Sequence, residues 1–383
     1  MRTYKWFCLV FVAAVLLSCK GTSEEELMGD WQKRAGYPWN GLAYASTFVI
    51  GDKGYVVGGY NGNNALRREV YVFDHTAGAG ADNYGEWTAL NLLPSEIPAR
   101  YQAVGFSVNG KGYMGTGWAF IGTDDVTTLK DFWQYDPNTD TWMEVAPLPE
   151  NAHKRRGAIA FSLTDTNGKE WGYVGCGYTD DPDRAYLSDF WRFDPDGTTD
   201  GLPGSWTPVT GYRGDKRLGA IVFVIGNKAY ICCGERPANV IDFWVFDGTN
   251  WEKRRQMANT NPDEDFDDDY GGLARSFGVG YVVEVPEQGG VLRGHIVGAK
   301  TNGSSNWEYN HTPENEGGDL WVQRTSFYNN QSGKTPGNRE GLISFSFPSS
   351  GRAFVGLGRS GSLFYDDLWE FKPLIEDYVY DDY

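Results

Sequence analysis

The chain is poor in histidine, cysteine, methionine, positive charge and long apolar runs. Its 383 residues include four His, five Cys and five Met. The four His (His75, His153, His295 and His311) leave little material for a histidine-based centre. No glycine-rich phosphate loop, G-x-S-x-G elbow or H-E-x-x-H pair occurs, so the sequence offers no ready enzyme signature and calls for no cofactor. Lys and Arg total 34 against 51 Asp and Glu, a net charge of −17. That balance argues against nucleic acid, whose phosphates need a basic face. The one extended apolar run, Phe7 to Leu17, falls well short of the ~20 residues that span a bilayer.

What is abundant is glycine and aromatic side chains. There are 50 Gly, 15 Trp, 23 Tyr and 21 Phe. A disordered chain has few aromatics, and long helices avoid glycine. Glycine combined with aromatic and β-branched residues describes short strands joined by tight turns. The length suits one large domain or two smaller ones and allows a sizeable core.

Arg2 and Lys5 precede the apolar run, as in a secretory leader. The run ends in Leu16-Leu17-Ser18-Cys19, which resembles the bacterial lipobox. The resemblance implies a signal peptide over 1–18, an acylated Cys19 in the outer-membrane lipid, and a tether over 19–28. Ser23-Glu24-Glu25-Glu26 resembles the acidic export tag of Bacteroidetes surface lipoproteins, which implies the cell surface, with a periplasm-facing position as the alternative. Loss of the leader removes Arg2 and Lys5 and takes the net charge from −17 to −19. Cys176, Cys232 and Cys233 remain, an odd number. Successive strand residues point to opposite faces, so a Cys232–Cys233 bridge is not expected, and all three read as small buried apolar residues.

From residue 29 onward the chain repeats. An aromatic ends an apolar run at Phe48, Phe106, Phe161, Phe223, Tyr281 and Phe345, with spacings of 58, 55, 62, 58 and 64 residues. Each copy runs through an innermost strand, a polar turn such as Asn109-Gly110, and a second strand ending in glycine. A third strand carries alternate aromatics such as Trp133 and Tyr135, and a fourth begins near a Trp. The segment Asp131 to Trp142 (DFWQYDPNTDTW) and the pair Gly58-Gly59 resemble the kelch repeat, whose ordinary period is ~50 residues. The chain is therefore similar to kelch-repeat lipoproteins of Bacteroidetes type and to the galactose oxidase propeller. That implies an all-β fold: a single six-bladed kelch-type β-propeller over 29–383 with four-stranded blades. The sixth copy lacks a fourth strand after Trp369, and Gly29 to Arg34 supplies one, with Trp31 at the usual place. Such a closure leaves no open sheet edge. The tail Asp377 to Tyr383 is the rival closing strand.

One charged pattern rides on the repeats. Six residues before the anchor aromatic stand Arg100, Arg155, Arg217, Arg275 and Arg339, with Leu42 in the first copy. Two residues before the third-strand aromatic stand Glu69, Asp131, Asp189, Asp242 and Asp367, with Ser305 in the fifth. Both sets belong to the channel-mouth face. They read either as ion pairs that lock the blades or as ligand-binding groups for a carboxylate, phosphate or acidic peptide. The acidic loop Pro262 to Tyr270 lacks calcium-loop spacing and reads as solvated. His311 with Glu314, Glu316 and Asp319 has no second His nearby, so no metal site is expected. Trp39, Trp118, Phe120, Tyr178 and Tyr186 stand in loops and can stack on sugars. The expectation is a non-catalytic binding or scaffold module for a glycan or envelope protein. Its enzymatic rival, implied by resemblance, is a sialic acid mutarotase, another kelch propeller.

Overall fold

The computed structural model describes residues 27–376, apart from 63–65, 79–83, 122–124, 182, 259–271, 286–288, 302, 313–317 and 328–337. Cys19, the acidic loop and the tail 377–383 lie outside the described residues. Among those described, six four-stranded antiparallel sheets form the blades. Blade 1 is Ser46–Ile50, Lys53–Val57, Val70–Asp74 and Glu86–Ala89, in that spatial order. The innermost strands of successive blades adjoin one another, and Ser46–Ile50 meets Ile343–Phe347 of blade 6, so the ring closes. No helix among the described residues is long and apolar enough to cross a membrane.

Local chemistry explains the blades. The innermost strand Ile221–Ile225 alternates buried and half-buried residues, as its β-branched and aromatic composition favours. Its hairpin partners turn on residues that tolerate positive φ. Asn109 and Gly110, at 52° and 70°, supply the two left-handed positions of a type I′ turn. In four blades an aspartate follows the third-strand aromatic pair and caps the backbone beyond it. Asp74, Asp136, Asp194 and Asp247 each accept the backbone N–H two residues on, at 2.9 to 3.0 Å.

Blade packing uses a repeated aromatic–glycine seat. The anchor aromatic stacks on a second-strand ring of its own blade: Phe48 on Tyr55, Phe106 on Tyr113 and Phe161 on Tyr173, each at 5.1 Å. Its outer side lies on a glycine of the next blade. A Cβ at Gly112 would stand 2.1 Å from Phe48, and one at Gly172 2.2 Å from Phe106. Such separations are sterically forbidden, so blade spacing itself requires glycine there.

The last blade is closed by the N-terminal strand Met28–Arg34, antiparallel to Leu368–Glu376 with Trp31 opposite Phe371. Trp31 is buried and donates to Thr325 O of blade 5 at 3.0 Å. Arg34 bonds Glu370 at 2.7 Å, and Arg352 and Lys372 bond the same carboxylate at 2.7 and 2.6 Å. Burial alone would raise the Glu370 carboxyl, but the Arg352 and Lys372 donors outweigh it and pull it down to about 2.

Two outcomes follow for closure. A chain beginning at Leu42 should lose cooperative thermal unfolding, and melting like the longer chain would contradict closure by residues 28–34. Glu370 has an ordinary value of 4.5 and a folded value of about 2, so the unfolded state binds more protons as pH falls between them. Stability should drop through that window by about 3 kcal/mol from this group. Glu370→Gln should flatten that part of the stability–pH curve, measured by denaturant unfolding.

Candidate functional site

The five register arginines are wholly buried. Each reaches within its own blade to the start of the third strand. Arg100 grips Asp131 through two bonds of 2.7 and 2.6 Å, Arg155 grips Asp189 at 2.9 and 2.7 Å, and Arg339 grips Asp367 at 2.6 and 3.0 Å. Arg217 bonds Asp242. A second guanidinium bond goes to the carbonyl that ends the second strand: Thr116, Cys176, Cys233 and Leu357, at 2.9 to 3.1 Å. The indoles of Trp133, Trp191 and Trp244 donate to the same three aspartates, at 2.8, 2.6 and 3.0 Å. Burial opposes ionisation of Asp131, but the Arg100 and Trp133 bonds outweigh it and hold the carboxyl below its ordinary value.

The arginine backbone joins neighbouring blades. Gly59, Gly117, Gly177 and Gly234 donate to the carbonyls of Arg100, Arg155, Arg217 and Arg275 in the next blade, at 2.7 to 2.9 Å. Ala299 donates likewise to Arg339 O at 2.8 Å, and Gly358 to Leu42 O at 2.7 Å. Leu42 therefore keeps the backbone link without a guanidinium, and Glu69 of that blade pairs with Arg67 instead. In blade 5, Ser305 replaces the acid. Arg275 bonds Ser305 O, Ser305 Oγ, Gly272 O and Leu273 O at 2.8, 2.7, 2.6 and 3.1 Å, all neutral oxygens. Burial pulls its guanidinium down to about 10.

Two residues beyond each register position lies a belt that sequence reasoning missed. Tyr44, Gln102, Gly157, Gly219, Phe277 and Gly341 all have φ between 54° and 66°. Each donates its N–H to the carbonyl of its neighbour, and Tyr44 donates to Gly341, closing a ring of six bonds of 2.8 to 3.0 Å. Left-handed Tyr, Gln and Phe are strained, and the three sit where the channel opens. The belt and the residues after it line a cavity of about 120 Å³. The Phe277 ring lies on Gly219, the Tyr44 ring lies on Gly341, and the two rings meet edge to face at 5.6 Å. They floor the mouth. Spacing did carry this signal, because all six belt residues sit four before the anchor aromatic; three are glycine, which positive φ favours, but Tyr44, Gln102 and Phe277 give no such cue.

Of the six residues one step before the belt, all but Ser276 pair with a hairpin between second and third strands, Ala43 with Tyr60 among them. Tyr101 pairs with Trp118, Arg156 with Tyr178, Leu218 with Glu235 and Glu340 with Arg359. One half of the rim is aromatic. Phe364, Tyr60, Tyr101 and Trp118 follow one another at centroid distances of 5.4, 5.6 and 5.5 Å. Arg156 ends this arc, its guanidinium 4.7 Å from the Trp118 ring and 4.8 Å from the Tyr178 ring. It donates to Gln102 Oε1 at 2.7 Å, its Nε has no partner, and no carboxylate pairs with it among the described residues. The other half is acidic but occupied: Arg359 bonds Glu340 at 2.9 and 3.1 Å, and Ser276 bonds Glu235 at 2.8 Å. Burial pushes the Tyr101 hydroxyl up to about 12, against the opposing pull of Arg156. Of the loop aromatics, Trp118, Tyr178 and Tyr186 are half-buried, and Trp39 and Phe120 are exposed.

Cys176, Cys232 and Cys233 are all buried and unbridged, as expected. The second strand of blade 4 ends at Cys232, and Cys233 takes a φ of 62°. That left-handed residue lies past the strand, so strand alternation does not set its direction. No group of three or more His, Cys, Asp or Glu able to hold a metal is found among the described residues.

The Kelch motif family matches residues 121–149, the third and fourth strands of blade 2 with the hairpin before them. No curated protein matches the chain. The solved structure described as "Structure of YjhT" superposes with a TM-score of 0.62 over 88% of this chain and 95% of that one, at 14% identity. Likeness at that identity speaks for the fold alone. Together with the six blades, these matches make the fold a kelch-type β-propeller.

Removing Asp242 strands the buried Arg217 guanidinium, so Asp242→Ala should lose about 3–5 kcal/mol in denaturant unfolding. Ser305→Ala removes a neutral acceptor of the Arg275 and Trp307 donors and no counter-charge, so it should lose less, about 1.5–3 kcal/mol. Equal losses would contradict the ion-pair reading of the register arginines.

Proposed function

We propose that the chain is an outer-membrane lipoprotein, held by acylated Cys19, whose propeller binds a glycan at the channel mouth without transforming it. The leader with Leu16-Leu17-Ser18-Cys19 and the acidic stretch after it support anchoring and surface display. The single observation that carries the binding reading is Arg156. It is a half-buried guanidinium, clamped between two rings and paired with no carboxylate among the described residues, at the end of an aromatic arc. Pyranose rings stack on such faces, and a clamped guanidinium accepts an anionic substituent through paired N–H donors. The five register arginines have their donors committed inside the blades, so Arg156 takes the role in this reading. Envelope proteins bearing acidic side chains are the alternative partner, through the same guanidinium.

A mutarotase reading draws on Glu340, whose carboxylate meets the Tyr44 hydroxyl and Arg359 at the floor. An acid and a hydroxyl at one site can shuttle the proton that sugar ring opening needs. Binding alone is favoured because Arg359 already holds both donors on that carboxylate and Glu340 is only 8% exposed.

A glycan array with an acidic-sugar subset, run on residues 20–383, tests the choice. Binding should concentrate on anionic glycans, and Arg156→Ala or Trp118→Ala should weaken it at least about tenfold, the size of a lost charged or stacking contact. Binding that ignores both substitutions would sink the reading. Accelerated anomer exchange of N-acetylneuraminate by NMR, abolished by Glu340→Gln, would replace it with the enzymatic one. Cys19→Ala should release the protein from the membrane fraction.

A further inference from the structure

The three side chains carried by the belt differ in what they leave free. Phe277 has no polar atom, and the Tyr44 hydroxyl meets Glu340 and Arg359. Gln102 is the third. Its Oε1 accepts from Arg156 Nη1 at 2.7 Å. Chemistry forces this orientation, because a guanidinium carries only donors and can face only the oxygen of the amide. The amide nitrogen, on the same carbon, is therefore turned away from Arg156. Gln102 is half-buried and lines the cavity of about 120 Å³ at the mouth. Its Nε2 meets no acceptor among the described residues.

The belt itself does not need this side chain. Gln102 holds a φ of 54°, and Gly157, Gly219 and Gly341 make the same belt bond at 55° to 66° with no side chain at all. Glycine takes positive φ without steric cost, whereas glutamine is strained there. The rings of Phe277 and Tyr44 floor the mouth, but Gln102 adds only an amide. Strain of this kind gathers where a ligand is held. Arg156, across the shared hydrogen bond, gives one Nη to Gln102 and has its Nε buried without a partner. Its second Nη meets no acceptor among the described residues. We propose that Gln102 is a ligand-binding residue that sets specificity: its Nε2 and the second Nη of Arg156 donate to two oxygens of one oxyanion on the bound sugar. The inference rests on the glycan reading of the mouth. Carboxylates and sulfate esters share the required chemistry. A neutral donor beside a charged one holds the oxyanion in one orientation, and a sugar with a hydroxyl in its place forfeits the charge-assisted bonds to both donors.

Titration of residues 20–383 with matched glycan pairs tests this. Each pair carries a carboxylate or sulfate on one member and the neutral alcohol on the other, and the two acid types are scored separately. The natural chain should prefer the acidic member of at least one type. Gln102→Gly, which keeps the left-handed belt position, should weaken that member about tenfold and the neutral one far less. In the Arg156→Ala background the same substitution should still cost more than about threefold. A loss that vanishes there makes Gln102 only a prop for the guanidinium and overturns the proposal. Acid preference that Gln102→Gly leaves intact overturns it too, with the glycan reading standing. No preference in the natural chain overturns both. If Gln102→Gly does not fold, Gln102→Asn decides, because asparagine also tolerates positive φ and draws the amide back: undiminished acid preference there contradicts the proposal.

Discussion

Everything in this molecule answers to the closed belt of six backbone hydrogen bonds at the channel mouth. Each blade gives one N–H and one carbonyl there, at 2.8 to 3.0 Å. The contribution is only available if the residue adopts positive φ, and only closed if the sixth blade meets the first. Four consequences follow in physical order. The innermost strands must start at one radius, so the anchor aromatics recur in register. The rings then need glycine on the facing blade, as at Gly112 and Gly172. Chain termini must share a blade, which brings Met28–Arg34 beside Leu368–Glu376. Finally, the mouth is left with half-satisfied side chains gathered around one axis.

The register arginines and the mouth divide the work. Arg100, Arg155, Arg217 and Arg339 spend their donors on an aspartate and a strand-end carbonyl inside one blade. Their own carbonyls take the N–H of the preceding blade. This buries charge without leaving it unpaired, the condition under which buried ions are tolerated. The residue immediately after each register position varies freely: Ala43, Tyr101, Arg156, Leu218, Ser276 and Glu340. Repetition thus marks the frame, and the proposed binding residue is a departure from it. Arg156 on the rim and Ser305 in the fifth socket are both such departures.

Much of the frame was legible in the sequence, because its causes are local and periodic. The six anchors, the third-strand aromatic pairs and the orphan Trp31 all follow from strand alternation and the need to close a sheet edge. The Arg–Asp pairing was legible as a pattern but not as a geometry, since spacing alone does not say whether a guanidinium turns into its blade or into the channel. The belt was hidden because only Gly157, Gly219 and Gly341 advertise positive φ, while Tyr44, Gln102 and Phe277 adopt it without any side-chain cue. The Arg156 clamp was hidden because Trp118 and Tyr178 come from different blades and meet only through curvature of the ring. The cysteines were legible as buried and unbridged, although Cys233 itself lies one residue past the strand in a left-handed turn.

The central claim is that ligand recognition occurs on the aromatic and cationic half of the mouth. A crystal structure of residues 20–383 with a bound acidic oligosaccharide tests it most directly. The account predicts a sugar ring against Tyr101 and Trp118, with its anionic group on the Arg156 guanidinium and the belt unmoved. Ligand density confined to the outer strands or to the opposite end of the channel, with the mouth empty, would contradict it.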